Sequence, residues 1–202
     1  GHADRPDVAA QVDAVRELAG EPDADLDRVV WWLNHWLDGD QKITPLKAFQ
    51  GWIWAEGFAA GDLVSHFFDD AIPAIRRWHA SGLTLAIFSS GSVDAQRAWF
   101  GNTPEGSILD LFGGRHFDTE NTGPKRESQS YRTIAASLGF EPGQIVFLSD
   151  LVAELDAARE AGWHTVGVRR EGDQYYDQGV GDHLAIESFD QLDLSGPAPE
   201  RV

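Results

Sequence analysis

Two short apolar runs of the sequence end in polar residues that could bind an anion or a metal ion. The run 83–88 is followed by Ser89, Ser90, Gly91 and Ser92. Hydroxyl and backbone N–H groups at a strand end, beside the start of a helix, can hold a phosphate, and glycine allows close approach of the backbone. Capping of the next helix by Ser92 is the alternative, so this segment alone leaves both interpretations open.

The second run, 145–148, is followed closely by Asp150. A carboxylate at the carboxyl end of a strand can hold Mg²⁺ together with water and phosphate oxygens. The alternative is again a cap, because aspartate is a favoured N-cap residue. Glu154, four residues later, could support a metal ligand or interact with the helix dipole in the first turn.

A lysine could complete such a site, and the sequence has only three: Lys42, Lys47 and Lys125. Lys125 follows the segment Asn-Thr-Gly-Pro at 121–124, whose composition predicts a loop. It could bind a phosphate, although a solvated loop lysine is the simpler interpretation of this segment by itself.

Other kinds of site have little support. The chain has no cysteine, which excludes disulfides, thiolate zinc sites, iron–sulfur clusters and cysteine nucleophiles. Its seven histidines show no metal-ligand spacing, and no serine lies in a Gly-x-Ser-x-Gly segment. The glycine-rich stretches do not form a dinucleotide-binding fingerprint either.

The charge balance limits the partners. The sequence has 33 acidic and 16 basic residues, a formal charge of −17 and a pI near 4.6. Nucleic acids and anionic membranes require clustered lysine and arginine, so we expect neither as a partner. No apolar run approaches the roughly 18 residues that span a bilayer, and no signal-peptide pattern opens the chain. We expect a cytoplasmic protein, and a monomer.

The elements that must position these residues fall into two regions. Apolar residues at helical spacing predict helices over 8–18 and 26–37. Thr44, as N-cap before Pro45, predicts a third helix that ends at Gly57. Five of the eight tryptophans lie in this region. Their spacing favours packing between helices over stacking on a cofactor.

The rest of the chain alternates between two patterns. Apolar runs at 83–88, 145–148 and 165–168 alternate with helical patterns at 70–80, 93–100, 128–138 and 153–161. This predicts an α/β fold, with an open parallel sheet that is buried on both faces. Ligands of such sheets lie beyond the carboxyl ends of the strands. The Ser-Ser-Gly-Ser segment and Asp150 fall at those ends.

The order of these groups resembles the haloacid dehalogenase (HAD) superfamily: Ser-Ser-Gly-Ser after one strand, lysine after a loop, and aspartate after another strand. Further segments are similar to the enolase-phosphatases of methionine salvage, also called acireductone synthases. The similarity covers nearly the whole chain, from about residue 8 to about residue 190. The matching segments are TPLKAFQGWIWAEGF (44–58), FSSGSVDAQ (88–96), FDT (117–119), GPK (123–125), SYR (130–132) and FLSD (147–150).

The resemblance implies a Mg²⁺-dependent enzyme that enolises 2,3-diketo-5-methylthiopentyl-1-phosphate and then removes its phosphate, yielding the acireductone. A phosphatase for another small phosphate ester, and a non-catalytic protein that binds a ligand or a partner, are the alternatives. The residues implied in the site are Ser89, Ser90 and Lys125 for the phosphate and Asp150 for Mg²⁺, with Gly91 and Glu154 beside them.

The resemblance also implies two domains. A HAD-like α/β core, a parallel sheet of Rossmann type, would cover residues 63–202. A helical cap lobe would cover residues 1–62 and close over the site. Within the cap lobe, Gln50 and Trp54 would face the substrate.

The chain departs from the family at its beginning. The family opens with an apolar strand ending in Asp-x-Glu-Gly-Thr, whose aspartate is the nucleophile and a metal ligand and whose glutamate is a further metal ligand. Nothing in this sequence matches that segment, and the sequence has no methionine, even at position 1. We therefore expect an amino-terminally truncated form of a complete enzyme, in which the first strand of the sheet is absent.

This departure predicts that the chain alone lacks phosphatase turnover, because the nucleophile is absent. It also predicts low stability, because two neighbouring strands would be left unpaired. Phosphate release by the purified 202-residue chain at the rate of a complete homologue would refute this prediction.

Overall fold

The computed structural model describes residues 5–39, 41 and 43–202. For residue 59 it describes the backbone only. Lys42, one of the three lysines of the sequence, also lies outside the described residues. The chain divides into two compact units, Gly1–Leu63 and Val64–Val202. Among the described residues, no helix combines the length and the apolar character that crossing a membrane would require.

The first unit consists of helices and confirms the three that the periodicity predicts. They are α1 (Pro6–Ala19), α2 (Leu26–Asp38) and α3 (Thr44–Ala60). Val15 and Val29 are buried at the centre of the apolar cluster that the helices share. The helical spacing of apolar residues therefore places one face of each helix against its neighbours.

The tryptophans of this unit divide into two groups. Trp36 is buried in the apolar cluster, and Trp32 and Trp52 pack against it. Packing between helices is therefore confirmed for these three. Trp31 and Trp54 are instead 47% and 40% exposed.

Both ends of α3 differ from the prediction. The N-cap is Ile43, and Thr44 is the first helical residue. The helix continues through Gly57 and ends at Gly61, whose φ of +76° lies in the left-handed region that glycine adopts without strain. Gly57 stays helical, and a Cβ there would lie 2.7 Å from Cγ of Leu63. Gly57 therefore allows close packing instead of ending the helix.

The second unit alternates strands and helices, as predicted. Its helices are α4 (Ala71–Ala80), α5 (Val93–Gly101), α6 (Ser128–Leu138) and α7 (Val152–Glu160). Its strands are β1 (Ile87–Phe88), β2 (His116–Phe117), β3 (Val146–Ser149), β4 (His164–Val168), β5 (Leu184–Ile186), β6 (Leu192–Asp193) and β7 (Glu200–Arg201).

The strands form parallel sheets with helical connections, which confirms the α/β class. β1 pairs with β2, and β3, β4 and β5 pair in that order, all in parallel. β6 and β7 form a separate antiparallel pair. The carboxyl ends of β1 and β3 lead directly into Ser89 and Asp150.

The strand predicted over 83–88 is shorter than expected. Only Ile87 and Phe88 are paired, opposite His116 and Phe117 of β2. Residues 83–86 are not in a strand, because β2 offers only two residues and the other edge of this segment has no hydrogen-bonded neighbour among the described strands. A strand's length is set by its partners as well as by its own apolar run.

Asp70 is the N-cap residue of α4, but its side chain makes no capping hydrogen bond. Its Oδ2 accepts hydrogen bonds from Nη2 of Arg170 at 2.7 Å, Oγ of Ser188 at 2.8 Å and the backbone N–H of Phe189 at 2.6 Å. Burial alone would raise the pKa of Asp70. The hydrogen bonds and the charge of Arg170 outweigh burial, so the pKa lies below its usual value. This buried group ties the start of α4 to the segment after β5.

We expect Asp70→Asn to lower the free energy of unfolding at pH 7 by about 3 kcal/mol, because it leaves Arg170 buried without its counter-ion. Since the pKa is lower in the folded state, the carboxylate stabilises the fold above its unfolded pKa of about 4. That contribution to stability is lost as the pH falls through the pKa of Asp70 in the folded state. Denaturant unfolding at pH 7 and pH 2 should show the difference shrinking at low pH.

The matched control for this prediction is Asp110→Asn, at an exposed aspartate with no ion pair among the described residues. It should leave the free energy of unfolding nearly unchanged. If Asp70→Asn lowered the free energy of unfolding by the same amount at pH 2 as at pH 7, the stabilisation would not come from the ionised carboxylate of Asp70.

Candidate functional site

Lys125 lies in the loop between β2 and α6, and it is not a solvated loop residue. Its Nζ lies 2.6 Å from Oε2 of Glu154, and the two side chains are 17% and 11% exposed. The ammonium also lies 5.8 Å from the ring centre of Phe88 and 5.6 Å from that of Phe147. These rings belong to β1 and β3, so the cation lies where these two strands end.

The loop that carries Lys125 is held by the start of α6. The hydroxyl of Tyr131 donates to the carbonyl oxygen of Lys125 at 2.7 Å, and that of Ser130 donates to the carbonyl of Pro124 at 2.7 Å. Gly123 has a φ of +117°, and a Cβ there would lie 2.8 Å from Oγ of Ser130. The turn therefore requires glycine for both conformation and space.

Tyr131 also connects this loop to the two strands. Its side chain is fully buried, with ring centres 5.4 Å from Phe88 and 5.1 Å from Phe147, both edge to face. Burial, reinforced by the negative charge of Glu154, raises the pKa of Tyr131 well above its usual value. The hydroxyl therefore stays protonated and keeps donating to the Lys125 carbonyl.

We expect Tyr131→Phe to lower the free energy of unfolding by about 1–2 kcal/mol, because it leaves the Lys125 carbonyl without its donor. Phosphate binding should weaken severalfold as the loop loosens. Denaturant unfolding and calorimetric titration with phosphate measure the two effects. Tyr175→Phe, at a half-buried tyrosine whose hydroxyl has no partner among the described residues, is the control. Equal effects in both variants would contradict this role for Tyr131.

Asp150 follows β3 directly, and it does not cap α7. The N-cap of α7 is Leu151, and no side chain caps the helix. The carboxylate accepts no hydrogen bond from another residue of the described chain. Burial raises its pKa, the negative charges of Glu154 and Asp173 add to the shift, and Lys125 opposes it. A cation at this position would relieve an otherwise unfavourable charge.

Glu154 is buried in the first turn of α7. Besides its ion pair with Lys125, its Oε2 accepts a hydrogen bond from Oγ of Ser149 at 2.8 Å. Ser149 in turn accepts from the backbone N–H of Leu151 at 3.2 Å. Glu154 thus fixes the position of the lysine. The sequence places Ser149 beside Asp150 at the end of an apolar run, but it gave no indication that Ser149 bonds to Glu154.

Two serines of the Ser-Ser-Gly-Ser segment already accept hydrogen bonds from nearby backbone N–H groups. Oγ of Ser92 accepts from the N–H of Ala95 at 3.2 Å, so Ser92 does cap α5. The N–H of Gly91 donates to Oγ of Ser89 at 3.1 Å. Ser90 is exposed and makes no hydrogen bond with the described residues. Of this segment, the Ser90 hydroxyl and N–H are therefore the groups most available to an anion.

Two buried side chains that the sequence analysis did not single out hold this segment. Nε2 of Gln96 donates to the carbonyl oxygens of Gly91 at 3.0 Å and Phe117 at 2.8 Å. Oδ2 of Asp118 accepts from the N–H of Val93 at 3.0 Å, at the start of α5. The sequence carries no signal for Gln96, because a polar residue on a helix gives no indication of which way it faces.

The second unit therefore brings three of the predicted groups to one end of its strands: the Ser-Ser-Gly-Ser segment, Lys125 and Asp150. Gln50 and Trp54 lie on α3 in the first unit, half-buried and 40% exposed respectively. That they face a substrate stays a prediction. Within the described ranges, no group of three histidine, cysteine, aspartate or glutamate side chains is placed to hold a metal ion.

Comparisons with known proteins identify the family of this chain. A family model described as haloacid dehalogenase-like hydrolase matches residues 6–162. "Enolase-phosphatase E1" of Streptomyces avermitilis is 60% identical over 190 residues, covering 94% of this chain and 79% of that protein. The protein of the same name from Frankia alni is 52% identical, with coverage of 95% and 80%. The crystal structure of the UTR4 protein of Saccharomyces cerevisiae superposes with a TM-score of 0.72 at 30% identity, covering 94% of this chain and 82% of that one.

Proposed function

Because the chain belongs to the haloacid dehalogenase-like hydrolases, and within them to the enolase-phosphatases, we propose that its site serves the enolase-phosphatase reaction of methionine salvage. The substrate would be 2,3-diketo-5-methylthiopentyl-1-phosphate, which is enolised and then dephosphorylated to the acireductone. The observation that carries this proposal is the largely buried Lys125–Glu154 pair, at strand ends that also bear Ser90 and Asp150.

The carboxylate of Asp150 is suited to serve as a ligand for Mg²⁺. A half-buried carboxylate beside two other negative charges is a suitable ligand for a hard cation. Mg²⁺ usually keeps several waters and takes one or two carboxylates plus substrate phosphate, so a cluster of three side chains is not required. When bound, the ion would offset phosphate charge and polarise a carbonyl oxygen.

The residues of the chain would bind and orient the phosphate. The Lys125 ammonium offers a charge-assisted hydrogen bond to a phosphate oxygen, and Glu154 keeps it from swinging into solvent. Ser90 adds a hydroxyl and an N–H donor from the end of β1. The overall charge of −17 does not oppose this, because charges beyond about 10 Å are largely screened at physiological salt.

The test is the binding of a non-hydrolysable phosphonate analogue of the diketone phosphate, measured by calorimetry with and without Mg²⁺. Binding reports on substrate class independently of turnover. We expect Mg²⁺-dependent binding of this analogue at least tenfold tighter than that of phosphonates resembling glycolate or glycerol phosphate. Equal affinity for the small phosphonates would instead favour a phosphatase for another ester. Binding of none of them would favour a non-catalytic protein.

That the protein is monomeric and cytoplasmic remains a prediction. Sedimentation of the purified chain across a range of concentrations tests the first part. A mass that rises with concentration would overturn it.

A further inference from the structure

Asp118, directly after β2, is a buried carboxylate to which the proposed reaction assigns no role. It is 5% exposed and forms no ion pair with another described residue. Backbone donors surround it instead. Its Oδ2 accepts from the N–H of Val93 at 3.0 Å, and its Oδ1 accepts from the N–H groups of Glu120 at 3.0 Å and Asn121 at 2.8 Å. Hydrogen bonds to a charged acceptor are about twice as strong as neutral ones, so Asp118 holds these three peptide groups firmly.

The three donors belong to the two segments that carry the proposed phosphate-binding groups. Val93 is the first residue of α5 and follows Ser90 by three residues. Glu120 and Asn121 lie in the loop that leads from β2 to Lys125. These two segments are distant along the chain. One carboxylate therefore connects the Ser-Ser-Gly-Ser segment with the loop of the lysine.

Gln96 makes a second connection between the same parts of the fold. It is 5% exposed, and its Nε2 donates to the carbonyl oxygens of Gly91 and Phe117. Its Oε1 therefore faces His116, whose Nδ1 lies 3.1 Å away. Burial, together with the positive charge of Arg97, lowers the pKa of His116. The neutral ring donates from Nδ1 to Oε1, and this hydrogen bond fixes the orientation of the Gln96 amide.

The separation between Ser90 and Lys125 decides whether one phosphate can contact both. Ser90 is exposed and makes no hydrogen bond with the described residues, so its place depends on the backbone that carries it. The Lys125 ammonium is held by Glu154 and has little freedom to follow a displaced serine. Donors that are fixed before the ligand arrives reduce the entropic cost of binding. The connections through Asp118 and Gln96 fix the backbone in this way.

We propose that Asp118 and Gln96 are positioning residues for phosphate binding. They hold the Ser90 segment and the Lys125 loop at the separation at which both donors contact one phosphate, and they do not touch the phosphate themselves. This inference rests on the proposed function only in taking Ser90 and Lys125 as phosphate-binding groups. It does not depend on which phosphate ester is the substrate.

Asp118→Asn tests the proposal because it cuts the connection with little change of volume. An amide has a single acceptor oxygen, so it can serve Val93 or the loop at 120–121, but not both. With inorganic phosphate as the probe and Mg²⁺ present, calorimetry should show binding about tenfold weaker than that of the native chain.

Asp70→Asn is the matched control for stability. It also removes a buried carboxylate of the second unit, but Asp70 is bonded to Arg170, Ser188 and Phe189 and not to either phosphate-binding segment. Its affinity for phosphate should stay within about twofold of the native value. Equal weakening of phosphate binding in the two folded variants would mean that Asp118 acts only through stability.

The contribution of the Ser90 hydroxyl separates positioning from stability. In the native chain and in Asp70→Asn, Ser90→Ala should weaken phosphate binding about fivefold, because a donor to a charged ligand is lost. In Asp118→Asn, Ser90→Ala should weaken it by less than about twofold, because a displaced hydroxyl no longer shares the phosphate with Lys125. The same factor in all three backgrounds would overturn the proposal.

Gln96→Met tests the second connection and does not depend on whether Asp118→Asn folds. It removes the donors to Gly91 and Phe117 and keeps a side chain of similar length. It should abolish the effect of Ser90→Ala as Asp118→Asn does, and a full effect of Ser90→Ala in this background would count against the proposal.

Failure of the proposed function would look different. A native chain that binds inorganic phosphate without preferring the diketone phosphonate would contradict the proposed substrate, and it would leave these comparisons between variants valid. A native chain that binds no phosphate even with Mg²⁺ would overturn the phosphate site, and the positioning role with it.

Discussion

Replacing Lys125 by methionine is expected to weaken the binding of phosphate and of the phosphonate analogue about 100-fold, or by roughly 2.7 kcal/mol. Methionine keeps an apolar stem over the rings of Phe88 and Phe147 but removes the charge. The loss is large because Lys125 places a cation at these strand ends, where a phosphate would bind. Calorimetric titration in the presence of Mg²⁺ measures it.

Lys125→Met also leaves Glu154 buried without its cation, so part of the effect could come from loss of stability. The double variant Lys125→Met/Glu154→Gln removes that charge as well and should recover most of the free energy of unfolding. Phosphate binding should stay weak in the double variant. If binding returned with stability, Lys125 would be a structural residue. Lys47→Ala, at an exposed lysine of α3, is the control for net charge.

The second large effect is expected for Asp150→Asn. Mg²⁺ affinity should fall by at least about tenfold, because asparagine offers one neutral oxygen in place of a carboxylate. In the absence of metal, the same variant should unfold at a higher temperature than the native chain. The reason is that the substitution removes a half-buried negative charge lying near Glu154 and Asp173. Opposite signs for metal affinity and stability distinguish a metal ligand from a structural carboxylate.

Thermal unfolding with increasing Mg²⁺ measures both quantities in one series. The native chain should gain stability with Mg²⁺, and Asp150→Asn should not. Asp110→Asn makes the same change of charge at an exposed position outside the site and should respond as the native chain does. If the stability of Asp150→Asn rose with Mg²⁺ as much as that of the native chain, Asp150 would not be a ligand of the metal.

Local patterns were sufficient to predict most of the helices. Helical spacing of apolar residues located α1 and α2, and α6 lies where the pattern over 128–138 predicted it. These signals work because a helix buries one face, and the burial appears in the sequence every three or four residues. The ends of α3 were predicted less well. Whether Gly57 or Gly61 ends the helix depends on the packing of Leu63.

Strands were harder to predict, because their extent depends on other segments. The two-residue strands β2, β6 and β7, and the three-residue strand β5, have runs too short to stand out in the sequence. The run 83–88 was long enough to predict, yet only two of its residues pair. An apolar run shows that a segment can be buried, and a partner edge decides how much of it becomes a strand.

What the sequence by itself determined is the kind of chemistry and its place in the fold: hydroxyls, a lysine and a carboxylate at the carboxyl ends of parallel strands. Strand ends and loop composition are local properties, so a single chain reveals them. Only the tertiary structure showed that Lys125 is largely shielded from solvent. Likewise, only the tertiary structure showed that Asp150 does not cap α7. Both properties depend on groups distant along the chain, such as Glu154 and Tyr131 for the lysine, and a linear sequence does not contain the distances between them.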